Sequence, residues 1–261
     1  MQMRIAKRGQ RVFLQGACLL TGLLFLISFS KGAAQAVGAT CMSTSHCYGI
    51  NRWYAGSSFA GGYTSISTVP LYTNNRGIHV FTHEMWLEES SGRCSLTLYH
   101  SCWIEVGYGN LRATYNGKFY AGMFYFWADM RPGASSLLVH ILGPVESSQF
   151  GRVQNYSIRR INATTYAITA GNYIAYSTQN TMVANMLTIG EELANDGGLT
   201  STSAQPAYFM HTAWLDMYGW HFFQNSGQVV NMHPHTAKWI GPMLAGGSAF
   251  YTACCSAKWG R

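Results

Sequence analysis

A chain of 261 residues with 48% hydrophobic and only 10% charged residues is too apolar for a disordered segment and long enough to bury one substantial core. Its formal charge of +7 belongs mostly to its start: residues 1–36 hold five of the seventeen basic residues and none of the ten acidic ones, leaving +2 for the rest. That small surplus removes the electrostatic ground for a nucleic-acid partner.

The first 36 residues have the pattern of a secretory signal peptide. Arg4, Lys7, Arg8 and Arg11 precede an apolar stretch from Val12 to Phe29, and Ala34-Gln35-Ala36 supplies a small-x-small cleavage site. The apolar stretch, broken by Gln15 and Gly16, is short for a spanning helix. The expectation is a secreted single domain over residues 37–261 with no stable membrane association. Six cysteines remain in it: Cys41, Cys47, Cys94, Cys102, Cys254 and Cys255. An even number in an exported chain favours disulfides. Cys94 and Cys102 lie a hairpin's span apart, which leaves Cys41 and Cys47 for the Cys254-Cys255 pair. No Cys-x-x-Cys pair supports a metal.

Short strand-like runs follow, separated by Gly, Asn and Ser clusters and without a sustained helical stripe. They cover residues 78–87, 101–108, 118–127, 137–142, 156–161, 165–170, 185–193, 207–215, 220–224 and 249–254. This spacing predicts an all-β sandwich or barrel, with a long loop over 195–206.

Three runs carry candidate chemistry. In Ser101 to Gly109, alternation places Trp103, Glu105 and Gly107 on one face and Ile104, Val106 and Tyr108 on the other. A carboxyl in such an apolar strand must find partners or take up a proton. Gly107 beside it leaves room for a substrate backbone. In residues 185–193, Leu187, Ile189, Glu191 and Leu193 share one face, while Thr188, Gly190 and Glu192 share the other. Alternation turns Glu192 toward an open groove; a bulge at Gly190 would turn Glu191 there instead. In Phe124 to Pro132, Trp127 and Asp129 offer an aromatic floor with one carboxylate, suited to a peptide or a sugar ring.

Other motifs fail. His83-Glu84 begins a zinc-protease His-Glu-x-x-His pattern, but Leu87 stands where the second histidine belongs and the run is strand-like. Scattered surface histidines account for His79, His83, His233 and His235 better than a metal site does. There is no Gly-x-Ser-x-Gly elbow and no phosphate-cradling glycine loop. Neither a metal nor a cofactor is expected. Paired carboxylates in an aromatic groove would also serve a glycoside hydrolase, and the groove alone a glycan-binding module.

The three runs together resemble the neprosin-type glutamic peptidases, relatives of the fungal glutamic peptidases. Glu105-Val-Gly-Tyr108 matches the family's Glu-x-Gly-aromatic strand, and Phe126-Trp127-Ala128-Asp129 its aromatic strand. Ile189-Gly190-Glu191-Glu192 matches in part the Trp-Gly-Gly element before the second glutamate, with isoleucine for tryptophan and Glu191 for the second glycine. The resemblance implies an antiparallel β-sandwich of two stacked sheets, jelly-roll or concanavalin-like. It further implies a metal-independent acid endopeptidase acting on protein or peptide, with cleavage after proline in the best-known plant members, and the chain is expected to be a monomer. Glu105 and Glu192 would then be the catalytic pair, with Glu191 the alternative to Glu192, and Trp103, Trp127 and Asp129 would bind substrate. One glutamate would deprotonate a water and the other donate a proton, roles the residues themselves leave open. A glutamate's ordinary pKa near ~4.3 predicts a bell-shaped rate profile centred below about pH 5.

Overall fold

The computed structural model describes residues 46–54, 58–72, 79–90, 102–194, 203–204, 206–222, 228–231, 236–243 and 247–253. The leader over 1–36, most of the loop over 195–206, and Cys41, Cys94, Cys254, Cys255, His233 and His235 lie outside these residues. The described residues are almost wholly strand: β1 (His46–Tyr54), β2 (Gly61–Ser67), β3 (Leu71–Tyr72), β4 (His79–Glu89), β5 (Cys102–Tyr115), β6 (Lys118–Met130), β7 (Leu138–Pro144), β8 (Val153–Asn162) and β9 (Thr165–Ala170). Then come β10 (Tyr173–Thr178), β11 (Met186–Ala194), β12 (Ser203–Ala204), β13 (Ala207–Asp216), β14 (Gly219–Phe222), β15 (Gln228–Asn231), β16 (Thr236–Met243) and β17 (Gly247–Ala253).

They form an antiparallel β-sandwich. One sheet has seven strands in the order β15-β1-β11-β4-β5-β6-β7; the other runs β10-β9-β8-β2-β13-β17-β16, with β14 paired to β13. Each of the ten runs expected from sequence falls on a strand over its described residues, to within a residue at its ends, and 165–170 keeps its bounds as β9. The longest hairpin, β5–β6, pairs Tyr115 with Lys118 around the two-residue loop Asn116-Gly117. Both loop residues have positive φ, 50° and 76°, as a type I′ turn requires.

The core lies between the sheets. From the seven-stranded sheet Ile104, Val106 and Leu187 face inward, fully buried against Tyr156, Ile158, Ile168 and Phe209 of the other. Each such side chain contributes about 1.5–3 kcal/mol on burial. Tyr108 ties the layers together: its hydroxyl donates to the Ser67 carbonyl and accepts from the Val69 N–H, each at 3.0 Å, just past β2. Cys102, also fully buried, is disulfide-bonded.

Three of the candidates singled out from sequence, Glu191, Trp127 and Asp129, lie in this interlayer. The register of β11 against β1 and β4 runs without a shift, so no bulge reverses its faces. Glu191 therefore points inward, where its Oε2 lies 3.3 Å from His83 Nε2, both side chains fully buried. His83 Nδ1 in turn meets the Tyr108 hydroxyl at 2.8 Å. Trp127 belongs to the core and stacks on His140, centroids 4.1 Å apart. Asp129 is fully buried, held by Arg131 at 2.9 Å and by the Ser177 hydroxyl.

Removing one member of a buried ionisable pair costs about 3–5 kcal/mol, because its partner is left unsatisfied in a dry layer. Glu191→Ala should lower the unfolding free energy in urea by roughly that amount. An unfolding free energy equal to the parent's would contradict the inward placement of Glu191.

Candidate active site

The opposite face of the seven-stranded sheet carries a groove of about 810 Å³. Because side chains alternate along each strand, register decides what meets there. Glu105 of β5 stands opposite Trp86 of β4, and Glu192 of β11 stands between Thr82 of β4 and Tyr48 of β1. Glu84 lies on β4 between them, opposite Gly107 on one side and Gly190 on the other. Three glutamates thus occupy adjacent positions on three neighbouring strands, and all three line the groove.

The glycines permit this crowding. A Cβ at position 107 would meet the His83 carbonyl oxygen at 2.3 Å and Glu84 Cβ at 2.5 Å. A Cβ at position 190 would meet the Gly49 carbonyl oxygen at 2.3 Å. Both glycines answer to close backbone approach within the sheet. The space beside Glu105 that the sequence offered to a substrate backbone is taken by Glu84.

The two outer glutamates have different surroundings. Glu105 is 8% exposed; the Trp103 indole N–H donates to its Oε2 at 2.9 Å and the Trp86 indole reaches the same carboxyl. Burial, and then the charge of Glu192, push Glu105 up to about 8 against the lowering by the two indoles. Glu192 instead gathers partners: His46 Nδ1 lies against its Oε1, and the Tyr48 hydroxyl bonds to it as well. The hydrogen bond to Glu192 raises the pKa of His46, outweighing burial. Burial and then the Glu192 charge push Tyr48 far up, so it remains a donor.

Glu84 is 1% exposed. Thr82 donates to its Oε1. Burial first, then the charges of Glu105 and Glu192, raise it well above the ordinary glutamate value. At one end of the groove Glu88 accepts from the Thr188 hydroxyl. Burial also raises Glu88, against the opposing pull of Arg52.

The structure therefore brings together Glu105, Glu192 and Trp103 of the residues singled out from sequence. Trp127 and Asp129 are not in the groove: they point into the interlayer, because β6 pairs Trp127 with Val106 and Asp129 with Ile104, both core positions. The aromatic lining comes from Tyr48, Trp86, Trp103, Tyr115 and Phe126 instead. Sequence reasoning passed over Glu84, which entered only as part of a failed zinc motif, and the whole of β1, which supplies His46 and Tyr48.

No protein-family model matches the chain, and no curated protein matches it by sequence. Solved structures share its architecture. A Scytalido-glutamic peptidase with a peptide-based transition state analog aligns with TM-score 0.54 at 8% identity, over 80% of this chain and 98% of that one. The peptidase with a transition state analog inhibitor gives 0.51 at 7% identity, over the same shares of the two chains. At such identities the likeness is one of fold: the chain has a glutamic-peptidase-like sandwich, and the match does not single out the neprosin type.

The crowded carboxyls have a consequence for stability. Glu84, Glu88 and Glu105 have pKa values raised from 4.5, so the folded protein binds protons that the unfolded chain releases above that pH. Their contribution is fully present below 4.5 and is lost as pH rises through the folded values, about 8 for Glu105. His46, raised from 6.5, acts in the same sense, and His140, lowered by burial, in the opposite one. The melting temperature should be higher at about pH 5 than at about pH 8, and Glu105→Gln should narrow the gap. An equal or higher value at the alkaline end would contradict this arrangement.

Proposed function

We propose that the protein is a secreted, acid-active glutamic endopeptidase in which Glu105 is the general acid and Glu192 the general base. The observation that carries this reading is the placement of the two carboxyls in one groove with opposite surroundings. Glu105 is buried between two indoles and keeps its proton. Glu192 is the acceptor on which His46 and Tyr48 converge. The fold shared with glutamic peptidases supports the assignment, and so does the signal-like leader for export.

The chemistry is a metal-independent hydrolysis. Glu192 takes a proton from a water as that water attacks the scissile carbonyl carbon, and Glu105 gives its proton to the leaving amide nitrogen. The carbon–nitrogen bond breaks, leaving a carboxyl on one product and an amine on the other. The released proton on Glu192 and a proton regained by Glu105 reset the pair. Proton exchange with solvent suffices for that reset, because the groove is open to it.

Donors on the base and burial of the acid hold the pair asymmetric, where two bare carboxylates would compete for one proton. The alkaline limb of the rate profile follows Glu105, so its raised value of about 8 carries activity nearer to neutral pH than a centre below about pH 5 would. Preference for cleavage after proline rests on the neprosin resemblance alone and is the specificity to try first.

Purified protein incubated with casein between about pH 3 and pH 8 should hydrolyse it on the acid side, with chelator and pepstatin without effect. Glu105→Gln and Glu192→Gln should each lower the rate by at least ~10²-fold, the usual scale of a lost general acid or base. Undiminished proteolysis in either variant, or its loss to chelator, would refute the two-glutamate mechanism.

A further inference from the structure

The groove holds one more carboxyl than a two-glutamate mechanism uses. Glu84 sits on the central strand of the site, diagonal to both Glu105 and Glu192. Its Oε1 is satisfied by the Thr82 hydroxyl. Its Oε2 is buried, and no hydrogen-bond donor reaches it among the described residues. What does lie within hydrogen-bonding reach of Glu84 is the Glu192 carboxyl, an acceptor when ionised. Two acceptor oxygens in contact in a buried place need a proton between them.

We propose that Glu84 is a third functional carboxyl, a positioning residue that carries its own proton on Oε2 and donates it to Glu192, fixing the base for its attack on water. This inference rests on the peptidase reading for its kinetic consequence, but not for the proton itself. Thr82 decides which oxygen carries it, since its hydroxyl occupies Oε1 and leaves Oε2 as the buried oxygen without a partner. The titratable groups around Glu84 are consistent with that state. Glu192 faces it from β11, Glu105 and the more distant Tyr115 from β5, and Tyr48 from β1, where His46 also lies against Glu192. The carboxyls on both neighbouring strands disfavour a charge on Glu84. His46 and Tyr48 address Glu192 and leave Oε2 of Glu84 unsatisfied.

The arrangement has a specific chemical signature. Glutamine at position 84 would accept from Thr82 through its carbonyl and donate from its amide to Glu192, reproducing both bonds without an ionisable group. Leucine has similar bulk and reproduces neither. Leucine leaves the buried Thr82 hydroxyl without its acceptor and Glu192 without its donor at position 84, which costs folding stability, so kcat is read well below the melting temperature, where the variant is folded.

The test compares the full-length protein with Glu84→Leu and Glu84→Gln. In Glu84→Leu, kcat measured on the folded protein should fall by roughly 30-fold, the scale of a lost hydrogen bond to a charged group, with KM little changed and the melting temperature lowered. Glu84→Gln should recover most of that loss. Equal losses in the two variants, or a Glu84→Leu loss that disappears at temperatures where the variant is fully folded, would overturn the positioning role. An infrared difference spectrum, parent minus Glu84→Gln at about pH 6, should show a carboxylic-acid carbonyl band, since an ordinary glutamate would be ionised there. Its absence would overturn the proposal whatever the enzyme's activity. A parent protein that hydrolyses no peptide but shows the band would refute the peptidase reading and leave the Glu84 proton standing.

Discussion

Carboxyls packed side by side and largely buried cannot all be ionised. The sheet face built from β11, β4 and β5 accommodates Glu84, Glu105 and Glu192 only by retaining protons among them. That constraint reaches outward into the rest of the sheet. It accounts for the indoles of Trp86 and Trp103 on one side of the cluster, the donors His46 and Tyr48 on the other, and Thr82 beneath Glu84. The cluster exists because the strands come close enough to bring the three residues together, and Gly107 and Gly190 make that approach sterically permissible.

The same protons link stability and chemistry. A protein whose buried glutamates hold protons in the folded state is favoured by acid, and an acid–base pair of glutamates needs one of them protonated. Both requirements point to the same side of neutrality. The low content of charged residues, 10% of the chain, limits self-repulsion when the remaining carboxylates are neutralised and fits the same conditions. The interlayer has a separate polar network, His83 with Glu191 and Tyr108. It lies across the sheet from the groove, so two adjacent glutamates, 191 and 192, serve opposite faces of one strand.

Much of this was legible before the structure. Strand alternation alone separated Glu105 from Ile104 and Val106, and Glu192 from Glu191, and the structure keeps those phases. The phase of β6 was equally present in the chain. The Asn116-Gly117 turn forces Tyr115 opposite Lys118, and counting back along the hairpin puts Trp127 opposite Val106, on the core side. An aromatic strand next to a candidate glutamate suggested a binding floor; the hairpin register turns Trp127 and Asp129 away from the groove and leaves Phe126 in its lining. Glu84 was harder to place. Its position beside Gly107 depends on the pairing of β4 with β5, and no short turn in the sequence fixes that register. The strand β1 (HCYGINRWY) mixes Gly, Asn and Arg with apolar residues, so no clean period marks it, yet it brings His46 and Tyr48 to Glu192.

The claim at the centre is that burial and neighbouring charge keep Glu105 protonated where an ordinary glutamate is ionised. Carboxyl-carbon NMR on protein labelled with ¹³C-glutamate measures this residue by residue, with the Glu105 signal assigned by its absence from Glu105→Gln. The expected result is a Glu105 carboxyl that titrates at about 8. A Glu105 signal that titrates near 4.5, the ordinary value for a glutamate, would contradict it and with it the assignment of Glu105 as the acid.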